Sequence, residues 1–287
     1  AAVLVDSPGF NFRLGPALRR LGIPVFYYIA PQVWAWHAGR AAAMAGWVGR
    51  LAVILPFEEA LFRAAGVEAR FVGHPLLEGL QPEVDEAALR AEAGVPPGGT
   101  LLGLLPGSRR QELRAHGPVM AATARRLRAG RPDLVAALAL APGLEREAAR
   151  LRGALEGVRV LTGRTRAIQA HSACCAVASG TATLETALFG TPEVVVYRTG
   201  RVNYAIARRV VRLPRIGLPN IVAGVAVAPE LLQGDLTPER LAGALAPWLD
   251  DAGSRARASA ALGVVRERLG GPGASARAAA WLWEMCG

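Results

Sequence analysis

Lysine is absent from this 287-residue chain, and all 33 of its basic residues are arginine. That absence excludes a phosphate loop of the Gly-Lys-Ser/Thr kind and any Schiff-base lysine. It fits the codon bias of a GC-rich genome, as does the abundance of alanine, glycine, leucine and valine. Cysteine is scarce. Cys174 and Cys175 are adjacent in an apolar run and Cys286 lies near the end. The three offer no disulfide or zinc spacing, so the adjacent pair reads as packing residues in a reducing cytoplasm. No run reaches the roughly 18 to 20 apolar residues that a transmembrane helix requires, and the first residues do not have a signal-peptide pattern.

What is present is apolar and basic. Hydrophobic residues make up 52% of the chain, which supplies a sizeable core and excludes wholesale disorder. The net charge is +10 and the isoelectric point about 10.9. Nucleic acid is the reflex partner for such a balance. The arginines are scattered over helical patterns without an RNA-binding or helix-turn-helix signature. An anionic lipid surface or a phosphorylated substrate is therefore expected, and nucleic acid is not.

Apolar β runs alternate with helical patterns along the chain. They read as strand 3–6, helix 11–21, strand 25–29, helix 38–47, strand 51–55, helix 57–65 and strand 70–72. Residues 81–99, rich in proline and glycine around a short acidic helix, read as a linker. Alternation resumes with strand 101–105, helix 111–129, strand 134–140, helix 143–155, strand 158–161, helix 164–171, strand 174–178, helix 181–189 and strand 193–197. Helix 202–211, a loop through Leu218-Pro219-Asn220, and helices near 237–249 and 254–269 follow. This order predicts two Rossmann-like, doubly wound parallel-sheet domains with an active-site cleft between them, the GT-B type. The boundaries expected are 1–80 and 100–250, with C-terminal helices in 251–287 that could cross back. Ala1–Val5 reads as a buried strand without an initiator methionine or lead-in, so the first domain is expected to lack its beginning.

Two strand-end loops carry anion chemistry. The apolar run Cys174–Ala178 breaks at Ser179-Gly180-Thr181 and passes directly into a helical pattern. A strand, a tight turn and a helix start aim free N–H groups and the positive helix end at an anion. Glu185 falls on the same helix face as Thr181, placed to accept from ribose hydroxyls; equally, acids favour a first helical turn. After Leu101–Leu105 comes Pro106-Gly107-Ser108-Arg109-Arg110. Ser108 with Gln111 forms a Ser-x-x-Gln pattern that predicts a capping box. The two arginines oppose the helix dipole, a conflict that a bound diphosphate would remove.

Specific phrases then become recognisable. Asp6-Ser7-Pro8-Gly9-Phe10-Asn11, Tyr28-Ile29-Ala30-Pro31-Gln32-Val33-Trp34-Ala35-Trp36, Leu55-Pro56-Phe57-Glu58-Glu59 and Phe71-Val72-Gly73-His74-Pro75-Leu76 resemble the lipid-A-disaccharide synthase family. So do Leu105-Pro106-Gly107-Ser108-Arg109, Ser179 to Glu185, Tyr197-Arg198, Leu218-Pro219-Asn220-Ile221 and Pro229 to Gln233, in the family's order. The family's Gly-Glu-x-Ser-Gly-Asp loop, normally upstream of the Asp6 segment, has no match here. The resemblance implies inverting transfer of 2,3-diacylglucosamine from UDP-2,3-diacylglucosamine to 2,3-diacylglucosamine 1-phosphate. The products would be a β-1,6 disaccharide 1-phosphate and UDP. It also implies a peripheral enzyme on the anionic inner face of the cytoplasmic membrane. Asp6 is the candidate base, or else an Asx-turn residue before Pro8. Arg109 is the candidate diphosphate clamp, and Ser108, Ser179, Gly180, Thr181, Glu185, Asn220 and Gln233 the candidate donor-binding residues.

No cofactor or metal is expected. The six aspartates form no Asp-x-Asp pair, and His37, His116 and His171 show no ligand spacing. His74 reads as a turn cap or a cleft residue, and Trp34 as core. Trp36 and Trp47 read as core or, with Arg40 and Arg50, as an interfacial patch for acylated substrates. Rival readings are another GT-B-like enzyme of UDP-sugars, such as a UDP-N-acetylglucosamine 2-epimerase or a peptidoglycan-precursor transferase, and a non-catalytic UDP-binding module.

Overall fold

A computed structural model describes residues 1–36, 39–200 and 215–286. His37, the helix expected at 202–211, and the side chains of Trp36 and Cys286 lie outside the described residues. The chain divides into two compact units: residues 80–201 with 215–266, and residues 1–79 grouped with the described part of the rest, including 267–286.

The first unit holds a four-stranded parallel sheet in the order β1 (Ala2–Val5), β2 (Val25–Tyr28), β3 (Arg50–Val53) and β4 (Ala69–Phe71). Between strands run α1 (Pro8–Arg20), α2 (Val33–Trp36), α3 (Gly39–Ala45) and α4 (Pro56–Ala64). β2 is buried on both sides, so its sequence is a continuous apolar run. Tyr27 and Trp47 join the core beneath α1 and α3, while Phe26 packs against Trp281 on the opposite face. β1 is an edge strand, and only Leu4 is buried there; Val3 and Val5 stay half-exposed, so the expectation of a buried first strand does not hold. The helix Ala274–Cys286, within the stretch 251–287 expected to hold C-terminal helices, seats Trp281 under the guanidinium of Arg70, 4.5 Å from the ring centroid.

The second unit has six parallel strands: β5 (Thr100–Leu105), β6 (Leu134–Leu140), β7 (Arg159–Thr162), β8 (Cys174–Ala178), β9 (Glu193–Tyr197) and β10 (Glu230–Leu232). Their spatial order is β10-β9-β8-β5-β6-β7, so successive strands grow outward in both directions from a reversal between β5 and β8. That is Rossmann topology, with its switch point at the β5/β8 junction. Along β5, Leu102 and Leu104 enter one core layer and Leu101 and Leu105 the other. The thiols of β8 divide likewise. Burial pushes Cys174 up to about 12 and Cys175 well above its ordinary value, which leaves both as packing groups.

Segment 81–99 is no free tether. Its helix α5 (Glu86–Ala93) buries Leu89 and Ala93 in the second unit's core beside Leu101 and Ile168. Two further expectations shift. Helix 143–155 contracts to α7 (Glu145–Arg150), because the chain turns from Leu151 to Gly157. The loop at Leu218 is a short helix, Leu218–Ala223, with Pro219 in its first turn, where a missing N–H costs nothing.

Candidate active site

The carboxyl ends of β5 and β8 are adjacent, with Leu105 paired to Val177, so the two anion loops emerge side by side at the switch point. Sheet order alone brings Pro106–Arg110 next to Ser179–Thr181. After β8 the chain turns at Gly180, whose φ of 154° and ψ of −165° are open only to glycine. α9 (Thr181–Leu188) begins immediately, with no side-chain cap on its first turn, where the Thr183 N–H donates back to the Gly180 carbonyl at 3.1 Å. Ser179 Oγ donates to the Ile216 carbonyl at 3.2 Å, which fixes the turn against the neighbouring loop.

The loop after β5 differs from expectation. The helix α6 spans Arg110–Arg128 and its N-cap is Arg109, so Ser108 and Gln111 do not form a capping box. Glu112 provides the cap: its Oε2 accepts from the Arg109 N–H at 3.0 Å, and its Oε1 pairs with the Arg109 guanidinium at 2.8 Å. Gly107 stands at φ 110°, and a Cβ there would meet the Glu112 carboxylate at 2.3 Å. Glu112 thus relieves the charge conflict expected of Arg109. Arg109 remains 79% exposed, with donors to spare for an anion.

Glu185 lies one turn inside α9 and is largely buried, its Oε1 accepting from Arg166 Nη2 at 3.2 Å and Nε at 3.3 Å. Arg166 belongs to α8 (Thr165–His171), whose first N–H groups are capped by Glu83, with Ala167 N–H donating to its Oε2 at 2.7 Å. No periodicity links Arg166 to Glu185, so this contact could not be read from the sequence.

Asn220 is buried, and every hydrogen-bonding position of its amide is used inside the chain. Nδ2 donates to Ala228 O and Glu230 Oε1, both at 2.7 Å, while Oδ1 accepts from the Val227 and Ala228 N–H groups. It closes the turn that leads into β10. Gln233, directly after β10, has φ 50° and faces Thr199, and its carbonyl accepts from the guanidinium of Arg198. Arg198 also donates to the Leu236 carbonyl. His116, which showed no ligand spacing in the sequence, is fully buried; its Nδ1 lies 2.7 Å from Pro106 O and its Nε2 accepts from the Arg198 N–H at 2.9 Å.

In the first unit, strain gathers at the carboxyl edge of the sheet. Asp6 (φ 43°), Ser7 (φ 45°) and Ile29 (φ 65°) are all left-handed, and for a β-branched residue this is an outlier. The surrounding structure holds the conformation in place: Asn11 Nδ2 and Tyr27 Oη both donate to the Asp6 carbonyl at 2.5 Å, and Asp6 N–H donates to Tyr28 O. The Asp6 side chain makes no cap to the helix that follows, so an Asx-turn does not explain it. Glu58 also sits at this edge. Burial raises it to about 7, and its oxygens accept from Trp34 Nε1 at 2.9 Å and Leu55 N–H at 3.1 Å. His74 is a turn cap, its Nδ1 accepting from Leu76 N–H, with burial lowering it to about 4. Trp47 is core, edge-on to Phe12, and Arg50 lies over Trp281, so neither forms an interfacial patch. Among the described residues no group of three His, Cys, Asp or Glu side chains is arranged to hold a metal ion.

Known proteins resemble this chain in sequence and in fold. The family model for lipid-A-disaccharide synthetase matches residues 1–277. A lipid-A-disaccharide synthase of Syntrophus aciditrophicus is 43% identical over 280 residues, covering 96% of this chain and 73% of the relative. That of Anaeromyxobacter sp. strain K is 45% identical over 288 residues, covering 97% and 73%. Among solved structures, an Anabaena HepE protein in complex with UDP and glucose superposes with TM-score 0.58 at 14% identity, covering 99% of this chain and 77% of its own. The calicheamicin glycosyltransferase CalG4 gives TM-score 0.56 at 18% identity, covering 98% and 72%. At such low identity the solved structures show the fold alone, two parallel-sheet α/β domains of the kind found in GT-B glycosyltransferases and epimerases. The sequence matches settle the family: the chain is a member of the lipid-A-disaccharide synthases, glycosyltransferases that use a UDP-sugar donor and a lipid A precursor as acceptor.

Proposed function

We propose that the chain transfers 2,3-diacylglucosamine from UDP-2,3-diacylglucosamine to the 6-hydroxyl of 2,3-diacylglucosamine 1-phosphate, with inversion, without a metal or resident cofactor. The observation that carries this reading is the placement of two anion loops on adjacent strands at the switch point, with Glu185 one turn inside α9. In the donor complex, Arg109 and Ser108 hold the diphosphate together with the turn Ser179-Gly180-Thr181, whose Gly180 and Thr181 N–H groups lie at the start of α9. Glu185 takes the ribose hydroxyls on the oxygen that Arg166 leaves open. Asn220 and Gln233 shape the neighbouring loops. Asp6 takes the proton from the acceptor hydroxyl; that oxygen forms the new bond to the anomeric carbon as the bond to UDP breaks. UDP departs with the electron pair, stabilised by Arg109. Glu58 is raised to about 7 by burial, yet it is 1% exposed and its oxygens are occupied, so Asp6 is preferred on access.

The donor and acceptor are amphiphiles, which favours work at the anionic inner face of the cytoplasmic membrane; the net charge of +10 supports that location over nucleic acid. Among the described residues no helix is long and apolar enough to cross a membrane. Association with anionic vesicles should fall steeply as salt rises, because screening shortens the field to about 8 Å at physiological ionic strength; equal association with neutral vesicles contradicts this. The transfer reading is tested by supplying both substrates in detergent micelles and following products by mass spectrometry. A disaccharide 1-phosphate with UDP release strictly dependent on acceptor is expected. Turnover of the donor without acceptor would favour an epimerase.

A further inference from the structure

His116 occupies a position that no candidate function has absorbed. It lies in the seventh position of α6, fully buried, under the carboxyl edge of the second sheet. Its two ring nitrogens face opposite demands. Pro106 O is an acceptor, so Nδ1, at 2.7 Å, must carry the proton; the Arg198 N–H is a donor, so Nε2, at 2.9 Å, must present a lone pair. Only the neutral, Nδ1-protonated imidazole satisfies both. Pro106 opens the loop after β5 and Arg198 follows β9, and these strands flank β8 on either side. The loop Ser179–Thr181 therefore rises between the two segments that His116 ties together. Arg198 extends the tie to the loop after β10, through the Gln233 and Leu236 carbonyls.

We propose that His116 is a positioning residue of the donor site, a staple that fixes the loop after β5 and the loop after β9 on either side of the helix start that receives the diphosphate. The inference rests on the donor-site reading above and adds a residue that touches no substrate. The charged groups facing the ring are Glu112 from its own helix and Arg198 from the β9 loop; burial keeps the ring below its ordinary range, so the neutral form holds through neutral pH. A residue that served packing alone would affect melting and leave ligand affinity in the folded protein unchanged.

The test is UDP and uridine titration of the full chain by calorimetry, for wild type and for His116→Leu, His116→Asn and His116→Gln, each checked for a cooperative melt. Leucine removes both bonds at similar volume and should weaken UDP by about tenfold or more, with a smaller change for uridine, since the staple sets the phosphate loops. Asparagine keeps the donor toward Pro106, glutamine the acceptor toward Arg198, and each should recover part of the loss. Folded His116→Leu binding UDP within about twofold of wild type overturns the proposal. If leucine is not tolerated, wild-type UDP affinity in both folded amide variants overturns it equally. Failure of wild type itself to bind UDP would instead remove the donor-site reading on which the proposal stands.

Discussion

Asp6 and Glu58 are two carboxylates at one sheet edge, separated by what surrounds them. Asp6 stands exposed on a strained, doubly anchored backbone; Glu58 is sealed beneath Trp34 and Phe57. Asp6→Asn should cut transfer about 10²- to 10⁴-fold while UDP affinity stays nearly unchanged, whereas Arg109→Ala should impair both. Steady-state kinetics beside UDP titration separates them; an Asp6→Asn enzyme with more than about a tenth of wild-type activity puts the base elsewhere. Glu58 makes a different prediction. Its folded-state affinity is raised to about 7 from an ordinary value of 4.5. Its contribution to stability is therefore fully present below about 4.5 and is lost as pH rises to about 7, an effect of order 3 kcal/mol in total. Glu58→Gln should remove that dependence, so wild type minus variant in chemical denaturation should decline across this window and be flat elsewhere. A difference that does not change with pH contradicts the assignment.

At the scale of elements, steric fit decides how α1 meets the first sheet. A Cβ on Gly15 would lie 2.1 Å from the Trp47 ring, which is itself wedged between Phe12 and Tyr27. Gly15→Ala should therefore destabilise by about 1–3 kcal/mol despite alanine's better helix propensity, read as a lower midpoint in denaturant. A stabilised variant would show that α1 packs otherwise. Strands were the most legible elements in the sequence, because a strand buried on both faces reads as an unbroken apolar run: β8 and β9 match at both ends. Helix ends were less legible. Ser108 and Gln111 have the letters of a capping box, but Glu112 outcompetes them because a charged carboxylate caps Arg109 and neutralises its guanidinium in one contact. Pro219 did carry a signal for a helix start that a loop reading passed over. Within the site, loops tied to local glycine, serine and arginine patterns were visible in sequence. His116, Arg166 and the closed hydrogen bonding of Asn220 were not: the fold alone brings Arg198 to His116 and Glu185 to Arg166, and the nearby partners of Asn220 at Val227, Ala228 and Glu230 follow no local pattern.

For the whole molecule, both parallel sheets gather their unusual backbone and polar side chains at their carboxyl edges, and the family match extends from residue 1 to 277. The central claim is that the switch point of the second sheet binds the UDP portion of the donor without metal. Calorimetric titration of the chain with UDP in the presence of a chelator tests it most directly. The account predicts saturable UDP binding that survives chelation and weakens about 10- to 150-fold in Glu185→Ala, the loss expected for a charged hydrogen bond to ribose. No UDP binding, binding abolished by the chelator, or unchanged affinity in Glu185→Ala would contradict it.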